Sequence, residues 1–384
     1  MSWLAAAALL AAAQDPRFVE DGAPPAPVSP IAIERVTIAS GLRHPWSLAF
    51  LPGGGMLVTE KDGGLVRVGA DGAVTAIAGM PDDLDNVRQD PRDNSGLFDI
   101  ALHPDFAANG LLYLAYASRG AGGTTTRLIR ARLEGDRLTG VESLFEATPR
   151  SGDRFHYGGA LLIGPDGKLY LTVGERHFME SDNPPLPVSL DVTDRRGKIF
   201  RFELDGRPAE GNPDFGPGAH PALYALGIRA VQGMTTEPGT GRIWFSEHGS
   251  TQGDEINILA PGANYGWPVR TGGGYRDPAY RPAGVEGAAY TDPVHEWRGR
   301  TVAPTGLTFY TGGIFPEWRG DLIVAGLRRG YLMRLDVEDG AVRGVEYLLE
   351  DAPVRLRNVA QGPDGALYIV TDEADGKVIR LDRR

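Results

Sequence analysis

One phrase recurs along the chain: a short apolar run, a turn built on proline and glycine, and a second apolar run. It reads IALHPDFAANGLLYLAY from Ile100, ALLIGPDGKLYLTV from Ala160 and VAQGPDGALYIVTDEADGKVIRL from Val359. Looser copies surround Pro52, Pro238 and Pro316, so Pro104, Pro165 and Pro363 complete a set of six turn prolines. Alternating apolar residues bounded by Gly, Pro, Asn and Asp are the signature of strands and tight turns. A closing phrase seen as GLVRV, GKIFRF and GKVIRL recurs from Gly64, Gly197 and Gly376 and is expected to form an outer strand. Six such units without helical periodicity predict an all-β fold. The expected architecture is a six-bladed β-propeller, four-stranded antiparallel blades around a central channel, because radial repetition protects sheet edges. The run IERVTIASGL at residues 33–42 precedes the first full unit and is expected to complete the last blade. A pair of β-sandwiches would leave the sixfold recurrence unexplained.

Composition agrees with this reading. Fifty-three glycines and 29 prolines in 384 residues suit many turns and disfavour a helical protein. A net charge of −11 argues against a nucleic-acid partner, which requires clustered Lys and Arg. The chain has no cysteine, which excludes disulfides and thiolate metal sites. The apolar run from Trp3 to Ala13, ending in Ala-Ala-Ala, is too short to span a bilayer, which takes about 20 residues. It matches the core and cleavage site of a secretory signal without the positive n-region, so residues 1–13 are expected to be a signal peptide. Residues 14–32, rich in Pro and Ala, are expected to be a linker, and residues 33–384 a single propeller domain. The expected location is the periplasm or the exterior, with no membrane span and a monomer or homodimer as the assembly.

The repeat gives positions a meaning. Residues just ahead of each inner strand should converge on one mouth of the channel. They are His44–Trp46, Asn94–Ser95, His156–Tyr157, Arg229, Pro304–Thr305, and Arg355 with Arg357. A histidine, an amide, a tryptophan and several arginines facing one hollow read as a polar ligand site. The arginines favour a planar, carboxylate-rich ligand, and the alternation Arg355-Leu356-Arg357 places two of them on one strand face. Elsewhere, GSTQGDEIN sets the acidic pair Asp254 and Glu255 beside flexible glycines.

These segments, with SGLFDIALHPDF, RRGKIFRF and above all DEINILAPGANYGWP, resemble the soluble quinoprotein sugar dehydrogenases of the glucose/sorbosone or aldose type. The resemblance covers nearly all of the chain from Ile33 onward. It implies a six-bladed propeller that oxidises an aldose at the anomeric carbon to a lactone. The acceptor would be pyrroloquinoline quinone, with calcium as electrophilic helper and an external electron acceptor as partner. His156, in H-x-G-G, matches the family's catalytic base, a role that a neutral imidazole suits near neutral pH. Arg229, Arg355 and Arg357 match cofactor-contacting arginines, Asn94 stands where the family has glutamine, and Arg328 stands for its cofactor lysine. Gly249 and Ser250 match the backbone carbonyls of a calcium that bridges to the cofactor. Glu255 and the carbonyl of Tyr265 match a second, structural calcium site. Trp297 is either an aromatic wall for sugar or cofactor or a core tryptophan.

Several positions depart from the family pattern. Arg229 is followed by Ala230 where an asparagine is usual, Asn94 is one methylene short, Arg328 keeps charge but not shape, and Ser250 replaces a proline. The alternative reading is therefore a non-catalytic propeller that binds sugar or another partner on the same face. Calcium-dependent lactone hydrolysis ranks lower, because it needs several channel carboxylates and amides and the mouth positions supply only Asn94. The loop at residues 175–190, with His177 and Met179, matches no family role.

Overall fold

The computed structural model describes residues 31–89, 93–176, 186–275, 277, 279–328, 331–349 and 354–384. The expected signal segment, most of the expected linker, and His177 and Met179 lie outside these residues. Six four-stranded antiparallel sheets form the fold. Blade 1 comprises β2 (Pro45–Phe50), β3 (Met56–Glu60), β4 (Leu65–Val68) and β5 (Val74–Ile77). Blade 2 comprises β6 (Leu97–Leu102), β7 (Leu111–Gly120), β8 (Gly123–Glu134) and β9 (Arg137–Glu146). Blade 3 holds β10 (Gly158–Ile163), β11 (Leu169–Val173), β12 (Lys198–Phe202) and β13 (Leu223–Leu226). Blade 4 holds β14 (Val231–Thr236), β15 (Ile243–Glu247), β16 (Asp254–Ile258) and β17 (His295–Trp297). Blade 5 holds β18 (Pro304–Phe309), β19 (Leu322–Gly326), β20 (Leu332–Glu338) and β21 (Ala341–Leu348). Blade 6 holds β22 (Leu356–Gln361), β23 (Leu367–Thr371) and β24 (Gly376–Arg383), and its fourth strand is β1 (Ile33–Leu42).

The ring closes through β1, which pairs with β24 from Ile33↔Arg383 to Leu42↔Gly376, as the sequence predicts. Inner strands touch in sequence around the axis, β2 to β6, β10, β14, β18, β22 and back to β2. All six turn prolines lie in the connections from first to second strand, on the face away from the mouth. The closing phrase needs a correction. Its copies form β4, β12 and β24, the third strands, and a fourth strand covers each of them. A Gly-apolar-Arg phrase records a strand after a turn, not whether another strand lies beyond it.

Apolar side chains fill the seams between blades. Trp244, Trp297, Leu307, Val324 and Met333 form one such seam between blades 4 and 5, and all are buried. Burial of this kind contributes about 25 cal/mol per Å² of apolar surface and is the main stabilising term.

Each inner strand carries a register shift within its first residues: Pro45/Ser47, Leu97/Ile100, Gly158/Leu161, Val231/Gly233, Pro304/Leu307 and Leu356/Asn358. A bulge re-aims the residue it inserts. Here the inserted residues include Trp46, Phe98, Gln232 and Arg357, and all four line one depression on the axis. The sixfold bulge thus turns a plain barrel mouth into a lined site.

Candidate functional site

His156 stands two residues ahead of β10 with φ 45°, a left-handed conformation that is strained for a side chain with a Cβ. His44 and Ala303, at equivalent entrances, share it with φ 49° and 51°. The backbone closes tightly behind His156. A Cβ on Gly174 would lie 1.9 Å from the His156 carbonyl oxygen, so only glycine fits there. Fully buried Arg176 clamps the same loop, donating to Phe155 O at 3.0 Å and Thr124 O at 2.9 Å. Its guanidinium carbon sits 3.7 Å over the Tyr157 ring. Arg154 ties the neighbouring loop by donating to Asp85 at 2.6 Å, to Ser95 Oγ at 2.8 Å and to Asp93, while its carbonyl accepts from Asn94 N at 2.9 Å.

Each imidazole nitrogen has a partner. Nδ1 meets the carboxylate of Glu175, a residue with no exposed surface. Nε2 lies 3.4 Å from the Arg229 guanidinium. Arginine donates and cannot accept, whereas a carboxylate accepts. Nδ1 therefore carries the hydrogen, and the Nε2 lone pair faces the Arg229 guanidinium. That is the tautomer of a general base, steadied from behind by a carboxylate.

Arg229 is itself held rigidly. Its backbone N donates to Glu247 Oε1 at 2.5 Å, its Nη1 donates to His248 O at 3.2 Å, and its guanidinium packs 5.1 Å from the Trp267 ring centroid. Burial pushes the Glu247 carboxyl well above the usual range, and neighbouring Glu255 adds to the effect. Burial also lowers His248 to about 4, so its ring is neutral, and Nε2 meets Pro304 O at 2.8 Å.

Arg355 and Arg357 converge on one carboxylate, as their alternation predicts. Asp372 Oδ2 lies 3.2 Å from Arg355 and 2.5 Å from Arg357. Burial alone would raise the Asp372 carboxyl, but Arg357 and Lys61 beside it hold it well below the carboxylate range. Arg357 also donates to the Gln232 amide oxygen. The depression on the axis is lined by Trp46, Lys61, Asn94, Phe98, His156, Tyr157, Gly158, Gln232 and Arg357. The structure therefore brings together Asn94, His156 and Arg357, with Arg229 against His156 and Arg355 at the rim. Exposed Arg328 instead faces a separate hollow with Thr251, Gln252, Arg300, Thr301 and Tyr331.

Trp297 is a core residue, and its reading as an aromatic wall is corrected here. It lies on β17, the outermost strand of blade 4, has 0% exposure, and donates from Nε1 to Tyr347 Oη at 3.1 Å. A fourth strand sits at the rim of a propeller, so its inward side chain meets the next blade and not the channel.

The acidic pair splits because adjacent strand residues face opposite ways. Asp254 accepts from Gly249 N at 2.9 Å, Val302 N at 2.7 Å and Ala303 N at 2.8 Å, stitching the Gly249–Ser250 loop to the blade 5 entrance. Glu255 sits directly opposite Glu247 in the ladder. Burial pushes it up to about 7, against the hydrogen bond from Asn257 and with Glu296 and Asp254 adding to the rise. It shares with Tyr265, Asp292 and Glu296 a hollow distinct from the axial one. Among the described residues, Glu247 Oε2 is buried without a hydrogen bond, and so is the Ser250 hydroxyl. Among the described residues no three carboxylate or imidazole groups form a metal cage. A hard cation fits the Glu247–Glu255 pair only with backbone oxygens beside it.

Sequence reasoning missed Lys61, Glu175, Gln232, Glu247, Trp267 and Asp372. The repeat held a signal for part of this set. Lys61, Glu175, His248 and Asp372 all lie one or two residues past the end of a second strand, a further ring of equivalent positions at the same mouth.

Comparison with known proteins bears on this arrangement. The sequence model of the glucose/sorbosone dehydrogenase family matches residues 42–380. The aldose sugar dehydrogenase of Escherichia coli is 32% identical over 93% of this chain and 94% of its own length. The quinoprotein glucose dehydrogenase B of Acinetobacter calcoaceticus is 28% identical over 89% of this chain and 86% of its own. The solved structure of an aldose sugar dehydrogenase from Streptomyces coelicolor, in its quinone-bound form, superimposes with a TM-score of 0.75 at 30% identity, covering 94% of this chain and all of that one.

Proposed function

The chain belongs to the glucose/sorbosone dehydrogenase family, and on that premise we propose that it is a quinoprotein oxidising aldoses at the anomeric carbon to lactones. The observation that carries the reading is the His156 pair, with Nδ1 on buried Glu175 and Nε2 beside Arg229, at a mouth lined by Lys61 and Arg357. When bound, pyrroloquinoline quinone supplies the two-electron acceptor for the C1 hydride, and calcium supplies Lewis acidity beside it.

The residues present suit both groups. Lys61, paired with Asp372 at 3.0 Å, and Arg357, whose buried Nε has no hydrogen bond among the described residues, line the axial depression, and cations there suit a polycarboxylate. Arg229, Arg355, Arg357 and Asn94 would hold the quinone. The Gly249 and Ser250 carbonyls would hold one calcium, and Glu255 with the Tyr265 carbonyl a second.

His156 Nε2 takes the proton of the anomeric hydroxyl as C1 gives up its hydride. Glu175 then stabilises the imidazolium, and the clamps at Arg176 and Arg154 keep the ring in place. Positioned general bases of this kind contribute about 10²–10⁴-fold to rate. The apolar run Trp3–Ala13 supports export to the periplasm, where an external acceptor would reoxidise the cofactor. The test is reconstitution: quinone and calcium are added to the apo-protein, and dye reduction is followed with a panel of aldoses. Aldose-dependent turnover is expected. No turnover at saturating cofactor sinks the dehydrogenase reading in favour of a binding propeller.

A further inference from the structure

Lys61 has no part in the chemistry above, yet it is one of the most unusual side chains in the fold. It follows β3 directly and has 1% exposure. Its buried Nζ lies 3.0 Å from Asp372 Oδ1, an ion pair off the direction of a good hydrogen bond. The same carboxylate already serves Arg357 at 2.5 Å, Arg355 at 3.2 Å and His44 at 3.2 Å. Asp62 lies 3.4 Å from Arg88 and 3.6 Å from His44.

Among the described residues, the buried cations Lys61 and Arg357 share the one carboxylate of Asp372, while Arg88 and Arg355 reach solvent. Burying two cations beside one carboxylate is expensive, and a bound anion would offset that cost. Burial lowers the Lys61 amine to about 8, with Arg357 contributing. Both Lys61 and Arg357 line the axial depression opposite His156.

We infer that Lys61 and Arg357 form a carboxylate seat on the wall of the axial depression, and that Lys61 is a cofactor-contacting residue gripping one carboxylate of the quinone. The inference rests on the proposed quinoprotein reading and extends it to a residue that the family resemblance leaves without a role. Lys61 donates to the ligand carboxylate with the N–H groups that Asp372 leaves over, and Arg357 donates with its Nε. Asp372 keeps the two cations together in the absence of ligand.

The test is equilibrium binding of pyrroloquinoline quinone to the full-length apo-protein in calcium, read by absorbance after ultrafiltration. Lys61→Met is expected to weaken binding about 10–100-fold, the span of a charge-assisted hydrogen bond in a buried site. Lys168→Met, whose lysine pairs with Glu203 on the far face, is expected to leave it unchanged. Wild-type affinity should fall as pH rises through about 8, the range to which burial brings the amine, and the Lys61→Met profile should stay flat. Arg88, Arg355, Arg357, Asp62, Asp372 and His44 all face Lys61 and remain in the variant, so the difference between the profiles isolates the lysine. If Lys61→Met fails to fold, the wild-type pH profile and Lys61→Gln carry the same test. Binding within threefold of wild type in the variant, or no wild-type loss of affinity above pH 8, overturns the inference and leaves the proposed function standing. Absence of wild-type binding overturns both.

Discussion

Replacing Glu175 by Gln keeps the shape behind His156 and removes only the charge. The carboxylate has no exposed surface and contacts Nδ1 directly, while the imidazole side chain is 16% exposed. Two unit charges about 4 Å apart at an effective dielectric of about 20 interact by about 4 kcal/mol. With the proton about half transferred at the barrier, about 2 kcal/mol of stabilisation is lost, or about 30-fold in kcat at 1.4 kcal/mol per decade. Glu175→Ala, which also removes the hydrogen bond fixing the tautomer, should cost at least as much. Steady-state dye reduction with the reconstituted enzyme measures kcat, and equilibrium binding of the quinone checks that the pocket is intact. The expected signature is a fall in kcat with quinone affinity unchanged. A change below threefold in Glu175→Gln, with normal quinone binding, would refute the claim that this carboxylate steadies the base.

Trp297→Ala should destabilise by about 3–5 kcal/mol in urea unfolding, as large core deletions do, and leave quinone affinity within twofold; a selective loss of affinity would return Trp297 to the site. Lys198 is fully buried, and its Nζ donates to Val188 O and Arg196 O, each at 2.7 Å. Burial lowers it to about 7, so the unfolded chain binds the extra proton between that value and about 10.5. Stability should therefore rise from pH 7 to pH 9, Lys61 adding to the rise above about 8, and a Lys198→Met chain whose rise is undiminished would contradict this assignment. Deleting residues 33–42 removes the fourth strand of blade 6 and exposes β24 as an edge; the melting temperature should drop sharply, and an unchanged melt would mean that ring closure does not depend on β1.

The sequence reveals the fold more fully than the site. Periodicity of two, the six turn prolines and the orphan strand at Ile33–Leu42 dictate a closed ring, because each feature is local and repeats. The mouth positions follow from the same register, and so His156, Asn94, Arg229, Arg355 and Arg357 were legible. What the register does not convey is how neighbouring blades pair their side chains. Glu175 reaches His156 across β10 and β11, and Asp372 gathers Lys61 and Arg357 from blades 1 and 6. Contacts between residues 311 positions apart, such as Lys61 with Asp372, leave no mark on local pattern. Trp297 illustrates the opposite limit. An aromatic residue ahead of a polar loop reads the same whether it faces a ligand or the next blade, and only its place on a fourth strand decides. The bulge opening every inner strand was invisible too, because an extra residue in a turn-rich sequence looks like one more turn.

The most direct test of the central claim is single-turnover reduction of bound quinone by aldose, wild type against His156→Ala, both saturated with quinone and calcium. Wild type should reduce the cofactor in one fast phase, and the variant should bind it equally well while reducing it about 10²–10⁴-fold more slowly. Equal rates in the two proteins, or a wild type that binds quinone and is not reduced by any aldose, would contradict the account.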